Sequence, residues 1–159
     1  VVEILIKNLP ITIHSMKCAV LGYGKVGKVL ANTLKNLGAD VTVFARKERD
    51  LADASIKFYR TATFYELAKK EFTFDALINT VPEKVLSHEE MKNLNQECLF
   101  IEIASSPFGI DFQAAKEYAF DVIKANSLPG KVAPKTAGEI IGRSILPIIE
   151  KRGGNQWKL

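Results

Sequence analysis

Short apolar runs alternate with amphipathic stretches along most of this chain. Lys17-Cys18-Ala19-Val20-Leu21 is one such run and reads as a strand buried on both faces. From Lys25 onward, Val26, Val29, Leu30, Leu34 and Leu37 recur at helical spacing, while Lys28, Asn32, Lys35 and Asn36 fill the other face. Gly38 stands where a helix-ending glycine belongs. Val41-Thr42-Val43-Phe44 follows as a second strand rich in β-branched residues. The same alternation continues. It predicts a short helix over 48–54, a third strand at Ile56-Lys57-Phe58-Tyr59, and a helix over 63–70 with Phe64, Leu67 and Ala68 on one face. A fourth strand, Ala76-Leu77-Ile78-Asn79-Thr80-Val81, ends at Pro82. Ser87 and Glu90 have capping-box spacing and should open the next helix. Leu99-Phe100-Ile101-Glu102-Ile103 is a fifth strand, 111–119 a helix and Val122-Ile123-Lys124-Ala125 a sixth strand. The last helix should begin near Pro134 or Thr136 and run towards Lys151, kinked or split by Pro147. Strands and helices in this alternation specify an α/β fold with a doubly wound parallel sheet. Right-handed crossovers favour the strand order 3-2-1-4-5-6.

The junction between the first strand and the first amphipathic stretch narrows the reading. Val20-Leu21-Gly22-Tyr23-Gly24-Lys25-Val26-Gly27 is a Gly-x-Gly-x-x-Gly set in a strand–turn–helix context. Gly22 permits the tight turn, Gly24 lets the main chain approach a pyrophosphate, and Gly27 lets the helix pack close to its strand. Phosphates would rest on the free N–H groups at the helix start, with Lys25 and Val26 beside them. The unit closes in about 30 residues, the length of a βαβ motif. These features predict a Rossmann dinucleotide-binding domain over 17–154, preceded by a lead-in segment over 1–16 and followed by a frayed tail over 155–159.

Bulk properties exclude other classes. The chain has 159 residues, 47% hydrophobic and 25% charged, enough for one domain with a core. Its net charge of +4 is spread out and gives no case for nucleic acid. No apolar run reaches membrane-span length and no signal-peptide pattern is present, so a cytoplasmic location is the default expectation. Cys18 and Cys98 lack ligand spacing and read as core residues, and His14 and His88 are isolated, so no metal site is expected. The chain starts at Val1 rather than Met and opens into the apolar segment Val1-Val2-Glu3-Ile4-Leu5-Ile6, as a fragment or excised domain would.

The residues ending the second strand bear on which dinucleotide binds. An acidic residue there would hold the ribose 2′-hydroxyl of NAD, whereas Arg accommodates the 2′-phosphate of NADP. The strand ends in Phe44-Ala45-Arg46-Lys47, which favours NADP, with NAD as the alternative since Glu48 lies just beyond. Ligands in such sheets sit outside the carboxyl ends of the strands. Thr80-Val81-Pro82 is therefore expected near the middle of the cofactor. Ala104-Ser105-Ser106-Pro107-Phe108-Gly109 and the long segment 126–138 form the neighbouring loops.

In these loops the chain resembles a known family. Leu128-Pro129-Gly130-Lys131-Val132-Ala133-Pro134-Lys135-Thr136-Ala137-Gly138 looks like the signature of the A subunit of dipicolinate synthase. The likeness runs back through Leu37-Gly38-Ala39, Ala45-Arg46, Ile78-Asn79-Thr80-Val81-Pro82, Ile103-Ala104-Ser105 and Asp111-Phe112, and spans about Lys17 to Ile149. The resemblance implies an NADP-linked oxidoreductase that converts a dihydrodipicolinate-type precursor to dipicolinate for endospores. It also implies a substrate domain that precedes the nucleotide domain and is absent from this chain, and a second synthase subunit of flavoprotein-like type. Alone, such a domain is expected to be inactive. Departures are Glu102 where the family usually has Asp, Phe108 within a usual Pro-Gly-Gly, and Ser127 where a Gly is usual. Pro134-Lys135-Thr136-Ala137-Gly138 also resembles the Pro-His-x-Ala-Gly segment of D-2-hydroxyacid dehydrogenases, with Lys135 in the acid/base position. The Arg those enzymes use after strand five is missing, with Ser106 near its place. By these likenesses Lys135 would hold a substrate carboxylate or move a proton, and Ser105 and Thr136 would donate hydroxyl hydrogen bonds. A regulatory module that senses NAD(P) without catalysis shares the same glycine set, so that reading stays open. Chains of this fold often pair, which allows a homo-oligomer.

Overall fold

The computed structural model describes residues 1–153, and a strand–helix alternation runs through its first 126. A helix α1 (Val2–Asn8) leads into β1 (Lys17–Leu21), α2 (Lys25–Asn36), β2 (Asp40–Phe44), α3 (Glu48–Ile56), β3 (Arg60–Ala62) and α4 (Phe64–Lys69). Then come β4 (Ala76–Asn79), α5 (His88–Met91), β5 (Leu99–Glu102), α6 (Phe112–Glu117), β6 (Val122–Lys124), α7 (Leu128–Val132) and α8 (Pro134–Gly153). The chain divides into two compact units, Val1–Asn126 and a second from Ser127 onward that holds α7 and α8. The tail expected to fray, 155–159, lies outside the described residues.

All six strands are parallel and ordered β3-β2-β1-β4-β5-β6. The order reverses direction at β1, which opens a crevice between the connections that leave β1 and β4. Register brings the strand ends level there: Leu21 pairs with Phe44 on one side and Asn79 on the other, and Asn79 pairs with Glu102. Both faces of the central strands are buried, from Cys18 to Leu21 in β1 and throughout β4 and β5. One side of the sheet is filled by aromatic rings, with Phe44 5.4 Å from Phe72 and 5.9 Å from Phe74, and Phe100 stacked on Phe120 at 4.4 Å.

Local chemistry explains where helices begin. Thr63 caps α4 by accepting from the Glu66 N–H at 3.1 Å while Glu66 accepts from the Thr63 N–H at 2.9 Å. At the start of α5 the Glu90 carboxylate reaches back to accept the Ser87 N–H at 2.8 Å and the Ser87 hydroxyl at 2.7 Å. Asp111 opens α6 by accepting from the N–H groups of Gln113 and Ala114.

Several expected elements need correction. The third strand is Arg60–Ala62, not 56–59. Ile56 ends α3, and the next residues are used in closing that helix: Phe58, at φ 59°, donates its N–H to Ser55 O, and Tyr59 donates to Ala54 O. The buried face of α2 is Gly27, Leu30, Ala31 and Leu34, whereas Val26, Val29 and Leu37 are exposed. Two leucines and two small residues thus make the contact with the sheet, and Val26 and Val29 fall on the opposite face. The segment 126–138 is not a loop, since α7 and the start of α8 fill it. α8 also continues unsplit through Pro147. Among the described residues no three metal-ligating side chains come together, and no helix is long and apolar enough to cross a membrane.

Candidate functional site

The site is built around the turn from β1 into α2. Gly22 sits at φ +95°, where an L side chain is strained, and its N–H donates to Phe44 O at 2.8 Å. A Cβ there would also lie 2.6 Å from both Thr80 Oγ1 and Val81 Cγ2. A Cβ on Gly27 would run into the Gly22 carbonyl, so the start of the helix can sit against the turn only with glycine. Gly24 differs, because nothing lies within 4 Å of the place its Cβ would take. That open space adjoins the first N–H groups of α2. Gly24 is the N-cap and supplies no side-chain bond, and the first turn carries no acidic residue. α4 and α6 are capped by their own N-cap side chains, whereas α2, like α1 and α3, is not. Its leading amides and the positive end of its dipole remain available to an anion.

Above this turn lies a cleft of about 460 Å³. Its floor is Gly22, Tyr23, Gly24, Lys25 and Val26; one bank is Ala45, Arg46, Lys47, Asp50 and Phe64, and the other Thr80, Val81 and Pro82. The cleft therefore brings together the sequence-predicted residues Gly22, Gly24, Lys25, Val26, Arg46, Lys47, Thr80, Val81 and Pro82. Gly27 supports the turn from behind. Tyr23, Ala45, Asp50 and Phe64 are lining residues that the sequence pattern did not single out. Periodicity alone would have treated Phe64 as core, and Tyr23 occupies a variable position of the glycine set.

Several contacts link the walls of the cleft. The Thr80 hydroxyl donates to Leu21 O at 2.8 Å and ties the exit of β4 to the turn. Tyr23 is buried edge-on against Tyr59, with ring centres 6.1 Å apart. The Lys28 and Lys57 ammoniums lie 5.2 and 5.8 Å from the Tyr23 ring and both pair with Asp53. Arg46 Nη1 is 2.8 Å from Glu83 Oε2, an ion pair that runs from one bank to the residue just beyond the other.

A second arrangement organises the adjoining loops. Glu102 is wholly buried, and its carboxylate accepts from Asn79 Nδ2 at 2.8 Å and from the N–H groups of Ala104, Gly109 and Ile110 at 2.9 to 3.0 Å. Asn79 completes the link, accepting the Val81 N–H at 3.0 Å and donating to Val81 O at 2.9 Å. Gly109 has to be glycine, because a Cβ there would meet the Asn79 amide and Val81 O. The only hint of this network in the sequence is an acid at the end of an otherwise apolar strand. Ser105 is exposed in the loop that Glu102 anchors, but it does not line the cleft. Lys135 and Thr136 belong to the second unit, in the first turn of α8.

The residues present fit a dinucleotide. Uncapped amides suit its pyrophosphate, the space at Gly24 admits close approach, and Arg46 and Lys47 supply cations where the second strand ends.

Comparison with known proteins agrees with this geometry. The family model described as S-adenosyl-L-homocysteine hydrolase, NAD binding domain, matches residues 2–143. A relative from Bacillus subtilis (strain 168), the A subunit of dipicolinate synthase, is 33% identical over 153 residues, covering 96% of this chain and 52% of that protein. The crystal structure of the dipicolinate synthase A chain from Bacillus subtilis superposes with a TM-score of 0.89 at 32% identity, covering 98% of this chain and 52% of that one. The structure of the corresponding protein from Bacillus halodurans gives 0.88 at 32% identity, covering 93% and 51%. The chain thus spans about half the length of the relatives it matches.

Proposed function

The chain belongs to the family of the S-adenosyl-L-homocysteine hydrolase NAD-binding domain, and we propose that it is the cofactor domain of an oxidoreductase and that Arg46 at the end of β2 makes it prefer NADP to NAD. The observation that carries this reading is the uncapped, acid-free start of α2 beside the open space at Gly24, in a cleft bordered by Arg46. In this reading the first-turn amides and Lys25 hold the pyrophosphate, and Arg46 and Lys47 hold the 2′-phosphate. Thr80, Val81 and Pro82 border the middle of the cofactor.

The likeness to the A subunit of dipicolinate synthase supplies the proposed reaction, the oxidation of a dihydrodipicolinate-type precursor to dipicolinate. When bound, NADP⁺ supplies the hydride acceptor. Aromatisation of the precursor would leave one proton, besides that hydride, to be taken by a base. Lys135 is proposed to hold a substrate carboxylate or take that proton, and Ser105 and Thr136 to donate hydrogen bonds to substrate. The rest of the substrate machinery and the second synthase subunit would lie outside this chain; production of dipicolinate for spores is proposed on the same likeness, and a cytoplasmic setting is proposed as the default for a sequence with no signal-peptide pattern or membrane-length apolar run.

The test is a pair of calorimetric titrations. NADP⁺ should bind more tightly than NAD⁺, and Arg46→Ala should weaken NADP⁺ by about tenfold or more while leaving NAD⁺ nearly unchanged, since a charge-assisted bond contributes about 1.5–3 kcal/mol. Tighter binding of NAD⁺ would overturn the NADP assignment. For the chemistry, Lys135→Met in the longer protein with its partner should abolish most turnover; full turnover would remove Lys135 from the mechanism.

A further inference from the structure

The Arg46–Glu83 pair engages the guanidinium that the proposed 2′-phosphate would use. Arg46 follows β2 and Glu83 follows β4, and these strands flank β1 on opposite sides. With strands about 4.8 Å apart, the two residues follow strands separated by two spacings, about 10 Å, with β1 between them. Arg46 lines the cleft, and Glu83 adjoins Pro82 on its other bank. The two side chains are 66% and 60% exposed, so neither is fixed by packing and the pair can open.

We infer that Glu83 is an internal competitor for Arg46: its carboxylate occupies the guanidinium until a 2′-phosphate displaces it, and it thereby sets how strongly the cleft prefers NADP over NAD. This rests on the reading of Arg46 as the 2′-phosphate contact. The chemistry is an exchange of one anionic partner for another. A carboxylate gives Arg46 one contact at 2.8 Å here, whereas a phosphate dianion offers more charge and more acceptor oxygens. NADP⁺ therefore wins the exchange, but with an affinity reduced by the pair it must break. NAD⁺, lacking the 2′-phosphate, makes no demand on Arg46 and leaves the pair closed. Glu83 therefore lowers NADP⁺ affinity without lowering that of NAD⁺.

Glu83→Gln keeps the shape of the side chain and removes its charge. In titrations at low salt the variant should bind NADP⁺ about threefold to fivefold more tightly, the size of one exposed ion pair, and NAD⁺ within twofold of the unaltered chain. The gain should shrink as ionic strength rises past about 0.15 M, because both partners are exposed. Equal tightening of both cofactors, or no change for NADP⁺, would overturn the inference. If Arg46→Ala weakens NADP⁺ selectively while Glu83→Gln is silent, the competition is wrong and the cofactor reading stands. If NAD⁺ binds the unaltered chain more tightly than NADP⁺, both fail together.

Discussion

Glu102 is buried deep at the end of β5, yet its charge is met entirely by N–H groups. Three main-chain amides and the Asn79 side chain donate to it, so the desolvation of the carboxylate is offset by hydrogen bonds of the charge-assisted kind. In Glu102→Gln one oxygen becomes an NH₂ that faces donors. At least one buried N–H then loses its acceptor, and the variant should be less stable by about 1–3 kcal/mol in denaturant unfolding. An unchanged midpoint would show that the network is not holding these loops. The cysteines illustrate the opposite case. Burial pushes the Cys18 thiol up to about 12 and raises Cys98 still further, which leaves both as inert core thiols. Their core position was readable from the apolar runs around them. The role of Glu102 was not, because a carboxylate at a strand end is ordinarily solvated, and only the fold brings Gly109 and Ile110 back against it.

At the scale of elements, α2 and its turn assign different work to similar glycines. Gly27 is needed for packing, because its missing Cβ leaves room for the Gly22 carbonyl; Gly24 has open space around it and an extended backbone at φ −77° that alanine also adopts. Gly24→Ala should therefore keep the thermal midpoint and lose affinity for the dinucleotide, whereas Gly27→Ala should lose stability and binding together. Equal stability loss in both variants would contradict this division. The strand–turn–helix context of the motif was legible because Gly22 and Gly24 sit where the strand period gives way to the helical one. The face of α2 was less legible: spacing alone lent weight to Val26 and Val29, whereas the face turned inward is Gly27, Leu30, Ala31 and Leu34. The third strand was displaced for a local reason, since residues 57–59 are consumed in closing α3. The segment 126–138, rich in Pro and Gly, read as a loop. Pro129 sits at the start of α7 and Pro134 at the start of α8, where the missing N–H of proline costs nothing.

For the whole molecule, the strand order determines where chemistry can occur. Because β1 lies between β2 and β4, the glycine turn, the cations after β2 and the Thr80–Pro82 bank converge on one crevice without any of them being near in sequence. That convergence was predictable, because right-handed crossovers leave few topologies to consider. The chain spans about half the length of its relatives, so turnover is a property to be measured in the longer protein. Cofactor binding can be measured on the domain itself. The most direct test is a crystal of the chain grown with NADP⁺. The pyrophosphate is predicted within hydrogen-bond distance of the main-chain N–H groups that begin α2, alongside Gly24, with the 2′-phosphate on Arg46. A dinucleotide bound elsewhere, with the space beside Gly24 left empty or filled by a side chain, would contradict the account.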